Sequence, residues 1–247
     1  MRIFKSSKEE NQWMSISDLM SVLMMIFLFI SIVYMRSVNL EKNKITSIAQ
    51  TYETTQVEIT NDLKKEFTKN LQIWNAVLDS LTLSIRFENP EILFKVGSAE
   101  LNDHFKSILD SFFPRFIQIL TDPKYKNDIE EIRIEGHTSS EWAGESSPYQ
   151  AYFNNMELSQ DRTRKVLEYI LSQIKDEQLL HWTKSKLTAN GLSSSHLIYN
   201  PNQTENKERS RRVEFKIKTN AEQQIIRILE QSKLQNNSIL KIFIKNQ

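Results

Sequence analysis

Trp13-Met14-Ser15-Ile16-Ser17-Asp18-Leu19-Met20-Ser21-Val22-Leu23-Met24-Met25-Ile26-Phe27-Leu28-Phe29-Ile30-Ser31-Ile32-Val33-Tyr34 decides how the rest of the chain is read. Met14 to Tyr34 is 21 residues. As a helix this spans roughly 31 Å at about 1.5 Å per residue, which matches a bilayer core of about 30 Å. The one side chain inside it that is charged at neutral pH is Asp18. An acid at mid-membrane costs about 3 kcal/mol on insertion scales, so it faces a partner, a water-filled path or a proton route. A cleaved leader fits poorly, because the apolar run is long, holds an acid and lacks a small-x-small cleavage site. Two plainer readings exist. Asp18 with Ser15 and Ser17 suits a helix N-cap, but the span then begins at Leu19 and leaves 16 residues to Tyr34, short for a bilayer. A simple anchor with an incidental acid leaves unexplained why Ser15, Asp18, Ser21 and Val22 share one helix face. A polar stripe of this kind predicts neighbouring helices from another subunit.

Around that stretch the composition excludes several classes. Net charge is +1 and the charged fraction 26%, so no global field points to nucleic acid or to an acidic partner. With Cys at 0, disulfides and thiolate sites are out, which by itself does not decide the compartment. Gly97, Gly136, Gly144 and Gly191 make neither a P-loop nor a dinucleotide fingerprint. His104, His137, His181 and His196 have no metal-ligand spacing. The expectation is a non-enzyme without cofactor or metal.

The organisation read from the chain is a short N-terminus (1–12), a transmembrane helix (13–36), a helical linker (37–80), a folded domain (81–219) and an extension (220–247). Arg2, Lys5 and Lys8 before the span and Arg36, Lys42 and Lys44 after it leave the positive-inside rule silent on orientation. Ile45, Ile48, Tyr52, Ile59, Leu63, Phe67, Leu71 and Trp74 recur mostly at threes and fours, a broken amphipathic stripe. It pairs with its copy in a dimer, packs back on the domain, or is a solvated connector; the spacing leaves these open. From Leu81 the texture changes to alternation over Leu81–Phe87, a turn at Asn89-Pro90 and an apolar run Ile92–Phe94. A helix over Leu101–Leu120 presents Leu101, Phe105, Leu109, Phe112 or Phe113, Phe116 and Leu120, with Pro114 kinking it or starting a second helix. Ile129–Gly136, Asn155–Ile174, Leu187–Gly191 and Val213–Lys218 complete a β-α-β-α-β-β order, an α+β fold with helices on one face of a sheet. In the extension, Ile225, Ile226, Ile228 and Leu229 suggest a helix and Ile239–Ile244 an apolar end that wants burial.

The pattern Trp13-x4-Asp18-Leu19-Met20-Ser21-x-Leu23-Met24-x2-Phe27-Leu28 resembles the B subunit of flagellar stators, the MotB family. The resemblance implies that Asp18 is the proton-binding residue, with Ser21 three positions on. It also implies a multi-span A subunit as partner, a cytoplasmic N-terminus, and a periplasmic remainder at the bacterial inner membrane; because a single span exposes only one acid, at least two copies of this chain are expected within a ring of A subunits. Phe94-x2-Gly97-Ser98-Ala99-Glu100-Leu101, Ile134-x-Gly136-His137-Thr138, Asn155-x2-Leu158-Ser159-x2-Arg162 and Arg211-Arg212-Val213-Glu214 look like the OmpA-like peptidoglycan-binding domain, in the family's order over roughly 81–219. That resemblance implies that Arg162 takes a stem-peptide carboxylate and that Thr138 and Asn155 shape the neighbouring loop. Leu158 and Ser159 would start the helix whose N-terminus favours an anion, and Arg211 joins the binding set. Taken singly these residues are helix caps, exposed helix charges or a solvated strand edge; in motif order they read as a ligand site. One departure stands out. The family's aspartate after Gly-x-Thr is Ser139 here, in a long loop where Glu141 and Glu145 are the available acids.

Trp13-x-Ser15-Ile16-Ser17-Asp18-Leu19-Met20-Ser21 and Gly136-His137-Thr138-Ser139-Ser140 further resemble the B subunits of Zorya anti-phage systems, which pair a stator-like membrane motor with cytoplasmic effectors. The expected function is the B subunit of a proton-driven inner-membrane motor held to peptidoglycan. The alternatives are a flagellar or other motility stator subunit and a passive membrane-to-wall anchor.

Overall fold

In the computed structural model, residues 7–88, 93–95, 98–142, 144, 147–220 and 226 are described, without the side chains of 7–15 and 47–53. The turn expected at Asn89-Pro90 and the elements expected at Ile225–Leu229 and Ile239–Ile244 fall outside these, apart from Ile226, which is exposed. The chain forms two units, Met1–Gln50 with Gln224–Gln247, and Thr51–Gln223. One helix, α1 (Ser7–Ile73), contributes to both.

In the first unit, the apolar side chains of Ile16 and Leu19 and those from Val22 to Tyr34 are about half exposed or more. Such a surface is stable only where something apolar meets it. The segment Ile16–Thr46 is long and apolar enough to cross a membrane.

The second unit is a two-layer α+β fold. Its strands are β1 (Ala76–Asp79), β2 (Ser84–Glu88), β3 (Ile129–His137), β4 (Leu187–Gly191) and β5 (Arg212–Thr219), in the order β1-β2-β5-β3-β4. The β1–β2, β2–β5 and β5–β3 pairs are antiparallel, and β3–β4 is parallel. A parallel neighbour needs a long crossover, supplied here by α3 (Pro148–Gln173) and α4 (Glu177–Lys186). The helix α2 (Asp103–Leu120) and a short α5 (Lys207–Ser210) complete the order.

Alternation sorts the sheet into two faces. Ile85, Phe87, Ile132, Ile134, Val213, Phe215 and Ile217 are buried under the helices. Arg86, Arg133, Glu135, His137, Arg212, Glu214 and Lys216 fall on the other face, with Glu135 opposite Glu214 and His137 opposite Arg212. α2 is capped by Asn102, whose side-chain oxygen accepts from Phe105 N. It runs unbroken through Pro114, so no second helix starts there. The apolar stripe expected for it is buried, Phe112 and Phe113 together, and Phe112 packs against Phe67, Trp74, Phe87, Phe116 and Phe215.

At the linker the structure selects one of the readings that the spacing left open: the C-terminal part of the stripe packs back on the domain. Ile59, Leu63 and Phe67, at spacings of four along α1, are fully buried in the second unit. Arg115 clamps them from outside, with Nε on Glu66 at 2.5 Å and its guanidinium over the Phe67 ring at 4.9 Å. The sheet likewise begins at Ala76, inside what was read as linker. The physical reason is the aromatic core: Phe67 packs on Trp74 and Phe112, and the stripe buries its apolar surface there. Val77-Leu78 is too short a strand to announce itself by alternation.

Candidate functional site

The loop after β3 carries Thr138, Ser139, Ser140, Glu141 and Trp142 away from the sheet toward the start of α3. Two glycines let α3 lie directly on the strand ends. A Cβ on Gly136 would stand 2.7 Å from Thr163 Cγ2 and 2.9 Å from Ser159 O, and one on Gly191 would stand 2.3 Å from Gln160 N. With α3 that close, Ser159 reaches the turn after β4 and its hydroxyl accepts from Ser193 N at 3.1 Å. Ser193 sits in the left-handed region at φ 51°, a conformation that costs a non-glycine residue about 1–2 kcal/mol. It is held there by its hydroxyl on Tyr152 O at 2.7 Å and by Thr138 N–H on its carbonyl at 2.9 Å.

Asn155, buried on α3, donates through Nδ2 to Ser139 O at 3.2 Å and Glu141 O at 3.0 Å and so pins the loop. Thr138 is buried too, and its hydroxyl has no partner among the described residues. The loop borders an open cleft of about 620 Å³ lined by Ser139, Ser140, Glu141, Trp142, Gly144, Pro148, Ala151 and Arg211. From the segment after β4, Glu205 holds Ser140 by both N–H (3.0 Å) and hydroxyl (2.5 Å), and Lys207 pairs with Glu141. Glu145 lies outside the described residues.

Arg162 is half-buried, with its guanidinium 4.7 Å over the Phe94 ring and its Nε donating to Ser98 O at 3.1 Å. Burial, then the neighbouring Arg211 charge, pushes its pKa down to about 10. Among the described residues no carboxylate pairs with Arg162. A guanidinium in that position, close to a second one, is short of an anion.

One expectation is corrected. Leu158 and Ser159 do not start a helix. α3 begins at Pro148, where Ser147 and Gln150 form a capping box, so the backbone N–H groups at 158 and 159 are already inside the helix and offer nothing to an anion. Leu158 is half-buried, and Ser159 donates to Met156 O while receiving Ser193 N–H. Asn155, likewise, is no cap.

In α1, Asp18 and Ser21 are both exposed. The Ser21 hydroxyl donates to Ser17 O at 2.9 Å rather than to Asp18. Among the described residues the Asp18 carboxylate makes no hydrogen bond or ion pair.

Sequence reasoning missed a buried cluster on the helix-free face. His137 Nε2 lies 3.8 Å from Glu135 Oε2 and 4.0 Å from Glu214 Oε1. The spacing suits a divalent cation, but the charge does not. Glu214 already accepts from Arg212 Nε at 2.5 Å and Arg86 Nε at 3.1 Å, and Lys216 stands 4.0 Å from Glu135. Cations already match the carboxylates. Strand alternation over 133–137 and 212–216 was the available signal; it shows which residues share a face, not that the face is buried. Trp142, Glu205 and Lys207 carried no signal.

The chain thus joins a helix long and apolar enough to cross a membrane to a two-layer α+β domain. Residues 93–211 match the OmpA family. The chain is similar to the Zorya protein ZorB of Escherichia coli, 49% identical over 229 residues that cover 92% of this chain and 96% of that protein. Among solved structures it is similar to a MotB-like protein of Desulfovibrio vulgaris (25% identity, 70% of this chain and 94% of that one, TM-score 0.49). It is also similar to the periplasmic domain of Helicobacter pylori MotB (18% identity, 60% and 84%, TM-score 0.41). This chain belongs to the ZorB family.

Proposed function

We propose that this chain is the B subunit of a proton-driven inner-membrane motor in Zorya anti-phage defence, fixed to peptidoglycan by its OmpA-family domain. The observation that carries the anchoring role is Arg162, half-buried beside Arg211 with no carboxylate of its own among the described residues. A stem-peptide carboxylate supplies the missing anion and is gripped by a planar fork. The ligand's amine falls to Glu141 in the cleft wall, exchanging Lys207 for the amine; Ser139 has no charge to offer.

The motor role rests on Asp18, the lone acid in the apolar run. The chain enters the membrane with its N-terminus cytoplasmic, and two copies sit within a ring of multi-span A subunits. Proton uptake at Asp18 removes a charge from apolar surroundings and release restores it, which biases the ring between two arrangements. A periplasmic domain tied to the wall gives that motion something to push against.

Two measurements test this. Phage plating on cells with the native locus is expected to show protection lost with Asp18→Asn at equal expression; retained protection would leave a passive anchor. For the anchor, Arg162→Ala is expected to lose stem-peptide binding at least tenfold, as for a charged hydrogen bond of about 1.5–3 kcal/mol. Arg162→Lys is expected not to restore it. Unchanged binding in Arg162→Ala would remove the assigned site.

A further inference from the structure

Beside the cleft, the first two turns of α3 carry bare aromatic rings. Tyr149 is 74% exposed and Phe153 51% exposed. They are four residues apart on one side of the helix, with ring centroids 4.8 Å apart. Tyr152 meets Phe153 edge-on at 5.6 Å, and its hydroxyl lies 3.1 Å from Ser195 Oγ. The rings are held in place before any ligand arrives, because Ser147 caps the helix, Pro148 opens it, and Asn155 ties it to the loop. Pro148, on the same two turns, lines the cleft with Ala151; Tyr149 follows it about 100° around α3 and Phe153 stands about 140° from it, so the patch begins beside the Pro148 edge of the cleft.

The two faces differ in chemistry. The cleft has Glu141 and Arg211 in its wall. From Tyr149 to Asn155 there is no charged side chain. An occupant that spans both must be charged at one end and uncharged, with apolar faces and polar edges, at the other. Peptidoglycan is built that way: charged stem peptides hang from a backbone of amino sugars whose muramic carboxyl is consumed in an amide. The C–H face of a pyranose lies flat on an aromatic ring while its hydroxyls and acetamides stay in water, a use of ring surface that exposed aromatics favour.

We infer that Tyr149 and Phe153, braced by Tyr152, form a platform for the amino-sugar backbone of the polymer whose stem peptide occupies the cleft. The inference rests on the peptidoglycan reading above. The test uses the full chain in detergent and two probes, intact peptidoglycan sacculi and a stem peptide free of sugar. Tyr149→Ser/Phe153→Ser is expected to weaken sacculus binding by about tenfold, the loss of two ring contacts, with stem-peptide binding unchanged. N-acetylglucosamine oligomers are expected to compete for sacculus binding in the wild type only. Sacculus binding equal to wild type would overturn the platform. So would an equal loss for the stem peptide, or a changed oligomeric state with sacculus binding kept, which would make the patch a contact between copies. If Arg162→Ala leaves stem-peptide binding intact, the peptide site fails, while the oligomer competition still reads the platform by itself.

Discussion

His137 shows what a buried polar side chain does when it is boxed in rather than bonded. Neither ring nitrogen has a hydrogen-bond partner among the described residues. It is faced by Glu135 on its own strand, Glu214 and Arg212 on β5, and the ring of His196 at 6.0 Å. Arg86 reaches Glu214 from β2. Burial pushes the imidazole below its ordinary value and Arg212 adds to that, against the pull of Glu135 and Glu214. The sign follows directly. Below about pH 6.5 the unfolded chain takes up a proton that the folded chain refuses. Stability is therefore expected to fall between about pH 7 and pH 5.5, read as the urea midpoint of the domain, and His137→Gln is expected to flatten that slope. Glu135 and Glu214 act in a separate window. Burial raises them, but His137, Lys216, Arg212 and Arg86 outweigh it and hold them low, so their contribution is lost only as pH drops below about 4.5.

At the scale of elements, the site depends on how closely α3 lies on β3 and β4. Adding a Cβ at Gly191 meets backbone atoms of Gln160, which cannot swing aside as a side chain tip can. Gly191→Ala is expected to cost about 3 kcal/mol, at the high end of overpacking, measured by urea unfolding. It is also expected to break the Ser159–Ser193–Thr138 links that set the cleft loop, so ligand affinity falls along with stability. The C-terminal turns of α1 depend on the same close packing. Phe67→Ala is expected to cost about 3–5 kcal/mol because the ring is fully buried against Trp74 and Phe112. If residues 51–73 were only a connector, the same change would be nearly silent.

At the scale of the molecule, the folded unit is Thr51–Gln223. A fragment cut at 81 loses β1 and the side chains of Ile59, Leu63, Phe67 and Trp74. At roughly 2 kcal/mol each, these contribute about 8 kcal/mol, against a typical whole-domain stability of about 5–15 kcal/mol. Residues 51–223 are expected to unfold cooperatively as a fragment, and residues 81–219 to lack a sharp transition; calorimetry of the two separates these outcomes. For the proposed motor, this means that the tether to the wall begins at the helix itself.

The apolar run with its single acid, the alternating strands, the stripe of α2 and the motif order that marks the OmpA-family domain are legible along the chain. Each of these is a local periodicity or a short spacing, and such patterns survive in a one-dimensional reading. The rest came from packing in three dimensions. It put Ile59, Leu63 and Phe67 into the domain core, because what an amphipathic stripe packs against is not written in its spacing. It moved the start of α3 back to Pro148, leaving Leu158 and Ser159 in mid-helix, because the cap that fixes the start lies in the loop and not in the motif. It brought Glu205 to Ser140 across 65 positions and boxed His137 between two carboxylates. Those contacts depend on which strands are neighbours, and strand order is settled by the packing of the whole sheet.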